Sequence, residues 1–220
     1  MHIILSVLIF SVAVTFIDAF VKPDYFMKIP VKILFFLVLP MVFFFVHKED
    51  FKQFRQMFAF RKGGFLKALL PGLGVYGIIL GGYFATRGIF DYSNVTSSLT
   101  DGMGITADNF LYVALYISLM NSFLEEFFFR GFGFMTLKKY TGRKFAYIFS
   151  SSIFAVYHAG MLWGMFGGAA LALIFAGLVV GGCIFSYMNE WTDNIYPSWF
   201  VHMFANFAIN TVGFILFGIL

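Results

Sequence analysis

The sequence predicts an all-α polytopic membrane protein with about seven transmembrane helices. Three observations support this: of 220 residues, 60% are hydrophobic, the mean hydropathy is +0.86 and only 12% are charged. Soluble domains carry about 25% charged residues. A water-soluble fold of this size cannot bury so much apolar surface, and a disordered chain is polar and highly charged, so both of these classes are excluded.

Seven apolar segments have about the length that a bilayer crossing requires. They are Ile3–Phe20, Ile29–Val46, Ala68–Thr86, Phe110–Leu137, Phe145–Met161, Trp163–Met188 and Pro197–Leu220. We expect helices, because hydrocarbon offers backbone polar groups no other partner and the alternation of barrel strands is absent from the sequence. The sequence predicts a single transmembrane domain over residues 1–220, with a polar, motif-bearing core at 108–220.

Charge predicts how the chain is oriented. Residues 47–67 and 138–144 each carry a net charge of +4, whereas residues 87–108 carry −2. The positive-inside rule places the two basic loops in the cytoplasm. The overall net charge of +4 is of this orienting kind and does not predict a nucleic-acid partner, so membrane lipids are the expected surroundings.

One loop segment predicts an amphipathic helix. Over Phe51–Phe65, phenylalanines recur at helical spacing with basic and amide side chains between them. We interpret this segment as an interfacial helix on the cytoplasmic leaflet, where it serves as a topology anchor or contacts anionic lipid.

Five ionisable side chains lie inside the fourth, fifth and seventh predicted spans, where each costs at least about 2.5 kcal/mol. They are Glu125, Glu126, Arg130, His158 and His202. Asp18 and Lys32 also lie in apolar stretches, but close enough to span ends for their charges to reach the interface. Such groups are functional candidates by default.

The spacing of these residues suggests distinct roles. Glu126 and Arg130 are four apart and therefore neutralise each other on one helix face. Glu125 lies about 100° round the helix and stays uncompensated, which suits a general base. His202 and Asn206 present two hydrogen-bond donors on one face. For His202 to reach Glu125, residues 189–196 must fold inward.

Three short motifs, in order, resemble those of the CPBP (ABI) intramembrane proteases, the family of the type II CAAX prenyl endopeptidases. Residues 125–130 resemble its EExxxR motif, residues 154–158 its FxxxH motif and residues 202–206 its HxxxN motif. Each motif is weak alone, whereas all three inside predicted spans form a specific pattern. The resemblance covers residues 108–220.

The resemblance implies a helical core with a cavity open to the cytoplasm, where peptide bonds are hydrolysed. It assigns water activation to Glu125 and His158, and oxyanion stabilisation to His202 and Asn206. Supporting roles fall to Glu126, Arg130 and Phe154. No serine or cysteine lies in a comparable arrangement, so a covalent mechanism is not expected.

A metal is an alternative. Glu125, His158 and His202 would form a His₂Glu zinc set with an open fourth position. No HExxH motif is present, and a metal-free water site needs fewer geometric assumptions. The sequence therefore favours a site without a cofactor, with zinc as the alternative.

The predicted function is an intramembrane endopeptidase acting on a membrane-associated peptide or lipidated protein, of CAAX, leader or bacteriocin type. The expected location is a bacterial plasma membrane. The alternatives are a non-catalytic scaffold, regulator or immunity protein of the same fold, or a proton-coupled transporter. A scaffold does not require an uncompensated carboxylate, and a transporter predicts an internal symmetry that the sequence lacks.

Overall fold

The computed structural model describes residues 2–21, 23–59 and 64–220. It is 85% helical with no strand in these ranges, which confirms the all-α prediction. The helices are α1 His2–Val21, α2 Tyr25–Val46, α3 Lys48–Met57, α4 Gly64–Thr86, α5 Ser93–Met103, α6 over residues 110–140, α7 Arg143–Leu162, α8 Gly168–Thr192 and α9 Tyr196–Leu216.

Six of the described helices, α1, α2, α4, α7, α8 and α9, are long and apolar enough to cross a membrane. The seventh predicted span is α6, which is continuous and long but carries Glu125, Glu126 and Arg130 at its middle. The chain is therefore an integral membrane protein whose described residues include six apolar helices of spanning length and one long helix, α6, that is polar at its middle.

Helix α6 is the centre of the fold. Residues 124–137 are all buried, and their phenylalanines pack with Phe36 and Phe44 of α2. The rings of Phe36 and Phe128 stack with centroids 4.2 Å apart. Because other helices surround this stretch, its charged side chains face protein and not lipid, which is where intramembrane charges are tolerated.

Two π-helical stretches, Ile117–Asn121 and Glu126–Thr136, make α6 irregular on either side of Glu125. Such turns are rare and are often found at functional sites. Side chains from neighbouring helices bond to carbonyls within them: Ser150 donates to the Phe129 carbonyl at 2.7 Å, and Asn206 donates to the Ile117 carbonyl at 3.2 Å. These bonds fix α7 and α9 against α6.

The two basic loops lie at the same end of the molecule, as seven alternating crossings require. Asp50 of α3 is fully buried and accepts hydrogen bonds from Lys139 and Tyr140 at the end of α6. Partial burial of the half-exposed phenol, reinforced by the bond to Asp50, raises the pKa of Tyr140 to about 12. Glu190 near the end of α8 pairs with Arg143, the first residue of α7, at 2.8 Å.

The turn between α8 and α9 folds inward at residues 194–195, a shorter segment than the predicted 189–196, because residues 189–192 still belong to α8. Asp193 has a left-handed φ of 52°, and the chain then buries Asn194 and Ile195. The Ile195 N–H donates to the Met57 carbonyl at 3.1 Å, and Asn194 donates to the Ala59 carbonyl at 2.6 Å. The start of α9 is therefore fixed against residues 57–59 at the end of α3.

The predicted amphipathic helix over Phe51–Phe65 is shorter than expected. Helix α3 ends at Met57, residues 60–63 lie outside the described residues, and Phe65 belongs to α4. Lys52 is exposed, but Phe54 lies against the Phe44 ring at a centroid distance of 5.0 Å. Part of the apolar face thus packs on the protein core, which the sequence pattern alone could not distinguish from lipid contact.

Candidate active site

Four helices meet at Glu125, which is 2% exposed. Helix α6 supplies this carboxylate, α7 supplies His158, α9 supplies His202 and α2 supplies Lys32. The three helices that carry the motifs therefore converge on one point, as the sequence predicted.

The two oxygens of Glu125 face different partners. Oε1 accepts a hydrogen bond from the Asn121 amide at 2.8 Å and from the Tyr157 hydroxyl at 3.3 Å. Oε2 faces the histidines, at 3.9 Å from Nε2 of His158 and 3.7 Å from Nε2 of His202. Both latter separations are longer than a direct hydrogen bond, and polar gaps of this length are commonly bridged by water.

His158 is held by the end of its own helix. Its Nδ1 lies 2.7 Å from the Phe154 carbonyl, one turn earlier. A carbonyl only accepts, so Nδ1 carries a proton and donates. In the neutral ring, Nε2 therefore presents a lone pair towards Glu125, which is the form that can take a proton from water.

His202 is held by the second glutamate. Its Nδ1 lies 3.0 Å from Oε1 of Glu126, a carboxylate at 0% exposure. If the carboxylate is ionised, Nδ1 donates to it, and Nε2 faces Glu125 as the second nitrogen at the site. The two histidines are thus oriented in the same way, each through Nδ1.

Glu126 and Arg130 form the predicted buried pair. Nη1 of Arg130 lies 3.4 Å from Oε1 of Glu126, with both side chains fully buried. The guanidinium group also lies over the rings of Phe154 and Phe185, at 3.9 and 5.1 Å from their centroids. The pair therefore packs beside His202 and Phe154, and the supporting role of Glu126, Arg130 and Phe154 remains a prediction.

Asn206 is buried beside the site but bonds elsewhere. Its amide donates to the Ile117 carbonyl of α6, as described above, and not to a carboxylate or an imidazole of the site. One amide N–H remains for a substrate. The structure therefore positions Asn206 between α9 and α6, and its oxyanion role remains a prediction.

One expectation about the first spans and one about Glu125 are wrong. Lys32 does not reach an interface: it is 9% exposed, and its Nζ lies 3.9 Å from Oε1 of Glu125. Asp18 pairs with Lys28 at 3.0 Å in a largely buried contact. Glu125 is consequently not an uncompensated carboxylate. The sequence signal for this contact was a lysine inside an apolar stretch. A single sequence, however, does not show that α2 and α6 are neighbours.

The residues as placed do not fit a tetrahedral zinc ion. Ligand atoms 2.0 to 2.2 Å from zinc lie about 3.4 Å from one another, and the Glu125 to histidine separations given above are longer. Among the described residues, no group of three or more His, Cys, Asp or Glu side chains is placed to hold a metal ion.

Comparison with known proteins yields one family match. Residues 107–208, just under half of the chain, match the family model described as type II CAAX prenyl endopeptidase Rce1-like. This range contains all three motifs. The match confirms the resemblance to the type II CAAX prenyl endopeptidases that the motifs indicated. No curated protein and no solved structure matches the chain.

Proposed function

We propose that this chain, whose residues 107–208 are of the Rce1-like type, is an intramembrane endopeptidase that cuts a prenylated C-terminal sequence or a similar membrane-held peptide. The observation that carries the proposal is the convergence of Glu125 Oε2 with Nε2 of His158 and of His202. Three groups able to accept a proton surround one point that is shielded from bulk water. Such a point suits a water molecule that must be deprotonated.

The proposed first step is activation of this water. Glu125 Oε2 and the His158 lone pair accept hydrogen bonds from it, and Glu125 takes its proton as the oxygen attacks the carbonyl carbon of the peptide bond. The attack forms a C–O bond and places the negative charge on the former carbonyl oxygen. A positioned carboxylate in a low-dielectric site is well suited to this transfer.

The second step returns the proton. The tetrahedral intermediate collapses, the C–N bond breaks, and Glu125 gives its proton to the leaving amine. During this time the oxyanion needs donors. The free amide N–H of Asn206 is one, and His202 is another when both of its ring nitrogens carry protons, one of them facing Glu126.

The substrate class follows from where the site lies. Glu125 is enclosed by helices of a membrane protein, so a peptide anchored to the membrane has a shorter path to it than a soluble one. A CAAX sequence has this property, because prenylation attaches a lipid to its cysteine. Leader or bacteriocin-like peptides that lie on the membrane are the remaining candidates.

We further propose that the basic end faces the cytoplasm of a bacterial cell. Single cysteines placed at Lys52 and at Ser97, in a Cys183→Ser background, test this orientation by labelling intact cells with a membrane-impermeant maleimide. Position 97 should be labelled in intact cells and position 52 only after permeabilisation. The reverse pattern would overturn the proposed orientation.

The enzymatic proposal is tested with purified protein in detergent and an internally quenched peptide ending in S-farnesyl-Cys-Val-Ile-Met. Wild type should cleave it, and Glu125→Gln should lower kcat at least about 100-fold, because the base is lost. Glu49→Gln, the same change at an exposed glutamate of α3, is the matched control and should retain full activity. The unprenylated peptide shows whether the lipid is required.

Two further outcomes are decisive. Cleavage that persists in 1,10-phenanthroline, with less than stoichiometric zinc by elemental analysis, is expected for a metal-free site. Loss of activity on chelation, restored by zinc, would overturn the metal-free mechanism. If wild type cleaves neither the prenylated peptide nor a panel of leader-type peptides, the protease proposal fails and the scaffold alternative takes its place.

A further inference from the structure

Lys32 belongs to a hydrogen-bonded chain that ends on one oxygen of Glu125. Its Nζ donates to Oδ1 of Asn121 at 2.9 Å, and Nδ2 of Asn121 donates to Oε1 of Glu125 at 2.8 Å. The ammonium group itself lies 3.9 Å from the same oxygen. Lys32 lies in α2, outside the residues that match the family.

The chain fixes the orientation of the Asn121 amide. An ammonium group can only donate, so the amide must turn its oxygen towards Lys32 and its NH₂ group towards Glu125. The carboxylate favours the same orientation, since a flipped amide would place its oxygen against Oε1, and Lys32 holds the amide from its other end. Lys32 therefore acts on Glu125 through Asn121 as well as through its charge.

As a consequence, the two carboxylate oxygens of Glu125 have different partners. Oε1 is occupied by Asn121, Tyr157 and the nearby Lys32 charge, whereas Oε2 remains directed at the two histidines. A carboxylate held in this way cannot rotate to exchange its oxygens without breaking several contacts. The oxygen that takes part in chemistry is thereby selected in advance.

We propose that Lys32 is a positioning residue for Glu125, which it holds through Asn121 so that Oε2 faces the water and the scissile bond. This inference rests on the proposed function of Glu125 as the base. It adds to the site a residue from the second span, outside the three motifs.

A second lysine of α2 shows what a simple ion pair looks like in this fold. Lys28, one turn earlier and 6% exposed, contacts Asp18 directly at 3.0 Å. Lys32 is equally buried but bonds to an amide that in turn bonds to the carboxylate. Lys28→Met therefore matches Lys32→Met in helix, burial and lost charge, and differs in its partner.

The test compares kcat and KM for the farnesylated peptide used above. Lys32→Met should lower kcat about tenfold or more with KM within about twofold, because ground-state binding is untouched and only the geometry of the base changes. Lys32→Arg, which still donates, should recover a large part of the loss. Lys28→Met should keep the kcat of the folded fraction, although its melting temperature falls.

A double-mutant cycle separates positioning from general destabilisation. Lys32→Met combined with Asn121→Ala should lower kcat by clearly less than the product of the two single losses, since both changes break the same chain. Lys28→Met added to Asn121→Ala should leave kcat where Asn121→Ala alone places it. If Lys32→Met does not fold, Asn121→Asp carries the test, because it keeps an acceptor for Lys32 but removes the donor to Glu125. It too should lower kcat.

The inference and the proposed function fail in different ways. Wild-type kcat in Lys32→Met or in Asn121→Asp, with Glu125→Gln inactive, overturns the positioning role alone. Multiplicative losses in the Lys32→Met and Asn121→Ala cycle also overturn it. Wild-type activity in Glu125→Gln overturns the assignment of the base, and the role of Lys32 falls with it.

Discussion

The guanidinium carbon of Arg130 lies 3.9 Å from the ring centroid of Phe154, so the first and second motifs stack on each other. The same Phe154 accepts the Nδ1 hydrogen of His158 through its carbonyl, and its ring lies 5.9 Å from that of His202. Phe154 therefore supports one histidine through its backbone and borders the other with its side chain. The motif spacing of four residues places the ring and His158 on one face.

Arg130→Met should be strongly destabilising. It leaves Glu126 fully buried without its arginine, and breaking a buried pair from one side costs about 3 kcal/mol or more. Arg143→Met is the matched control, because Arg143 also pairs with a glutamate but its side chain is 64% exposed, where a pair contributes about 1 kcal/mol or less. Denaturant unfolding in detergent measures both losses. Equal losses would show that the Glu126 pair has no special structural role.

Arg130→Lys tests the shape of the cation. A lysine keeps the positive charge beside Glu126 but lacks the planar group that lies against Phe154 and Phe185. We expect a stability between those of wild type and Arg130→Met. Full wild-type stability would mean that charge alone matters at this position.

Tyr140 predicts a dependence of stability on alkaline pH. Tyr140 is about half exposed, and partial burial together with the hydrogen bond to Asp50 raises the pKa of its phenol to about 12, so the folded state favours the neutral ring. This contribution is complete below the unfolded pKa of about 10 and is lost as the pH rises towards 12. Tyr140→Phe should therefore lose less stability than wild type between these values. Tyr112→Phe, at a more exposed tyrosine of α6, is the control and should follow the wild-type curve.

The architecture was largely predictable from composition and charge, because the bilayer permits few alternatives. The seven segments and the common end of the two basic loops follow from hydropathy and charge, and the inward turn before α9 follows from the requirement that His202 reach Glu125. The extent of α3 did not, since an apolar helix face is the same whether lipid or Phe44 covers it. The π-helical stretches of α6 were not predictable either, because they leave no periodic pattern of apolar residues in the sequence.

The site was predictable where its members share a helix, and less so where they do not. The Glu126–Arg130 pair follows from i, i+4 spacing, as does the common face of Phe154 and His158. The partners of Glu125 do not, because Lys32 lies 93 positions earlier in the chain and joins it only through helix packing. Lys32 was expected at the membrane interface because it lies close enough to the end of its span for its charge to reach the surface.

Asn206 and Asn210 offer the most direct test of the oxyanion assignment. Both lie on α9, are less than one-tenth exposed and donate to α6: Asn206 to the Ile117 carbonyl, and Asn210 to the Ala114 carbonyl and the Ser118 hydroxyl. They differ in position, since only Asn206 follows His202 by one turn. Substitution by alanine removes a buried hydrogen bond in each case, at a cost of about 1 to 3 kcal/mol in the free energy of unfolding.

The two variants should separate in activity. Asn206→Ala should lower kcat for the farnesylated peptide about 100-fold, since one donor to the developing oxyanion is lost. Asn210→Ala should lose stability of the same order while the folded fraction keeps its kcat. Steady-state kinetics at a temperature well below both unfolding midpoints, with folded protein quantified by size-exclusion chromatography, makes the comparison. A similar kcat for both variants would mean that Asn206, like Asn210, only fastens α9 to α6, and that the oxyanion is stabilised without it.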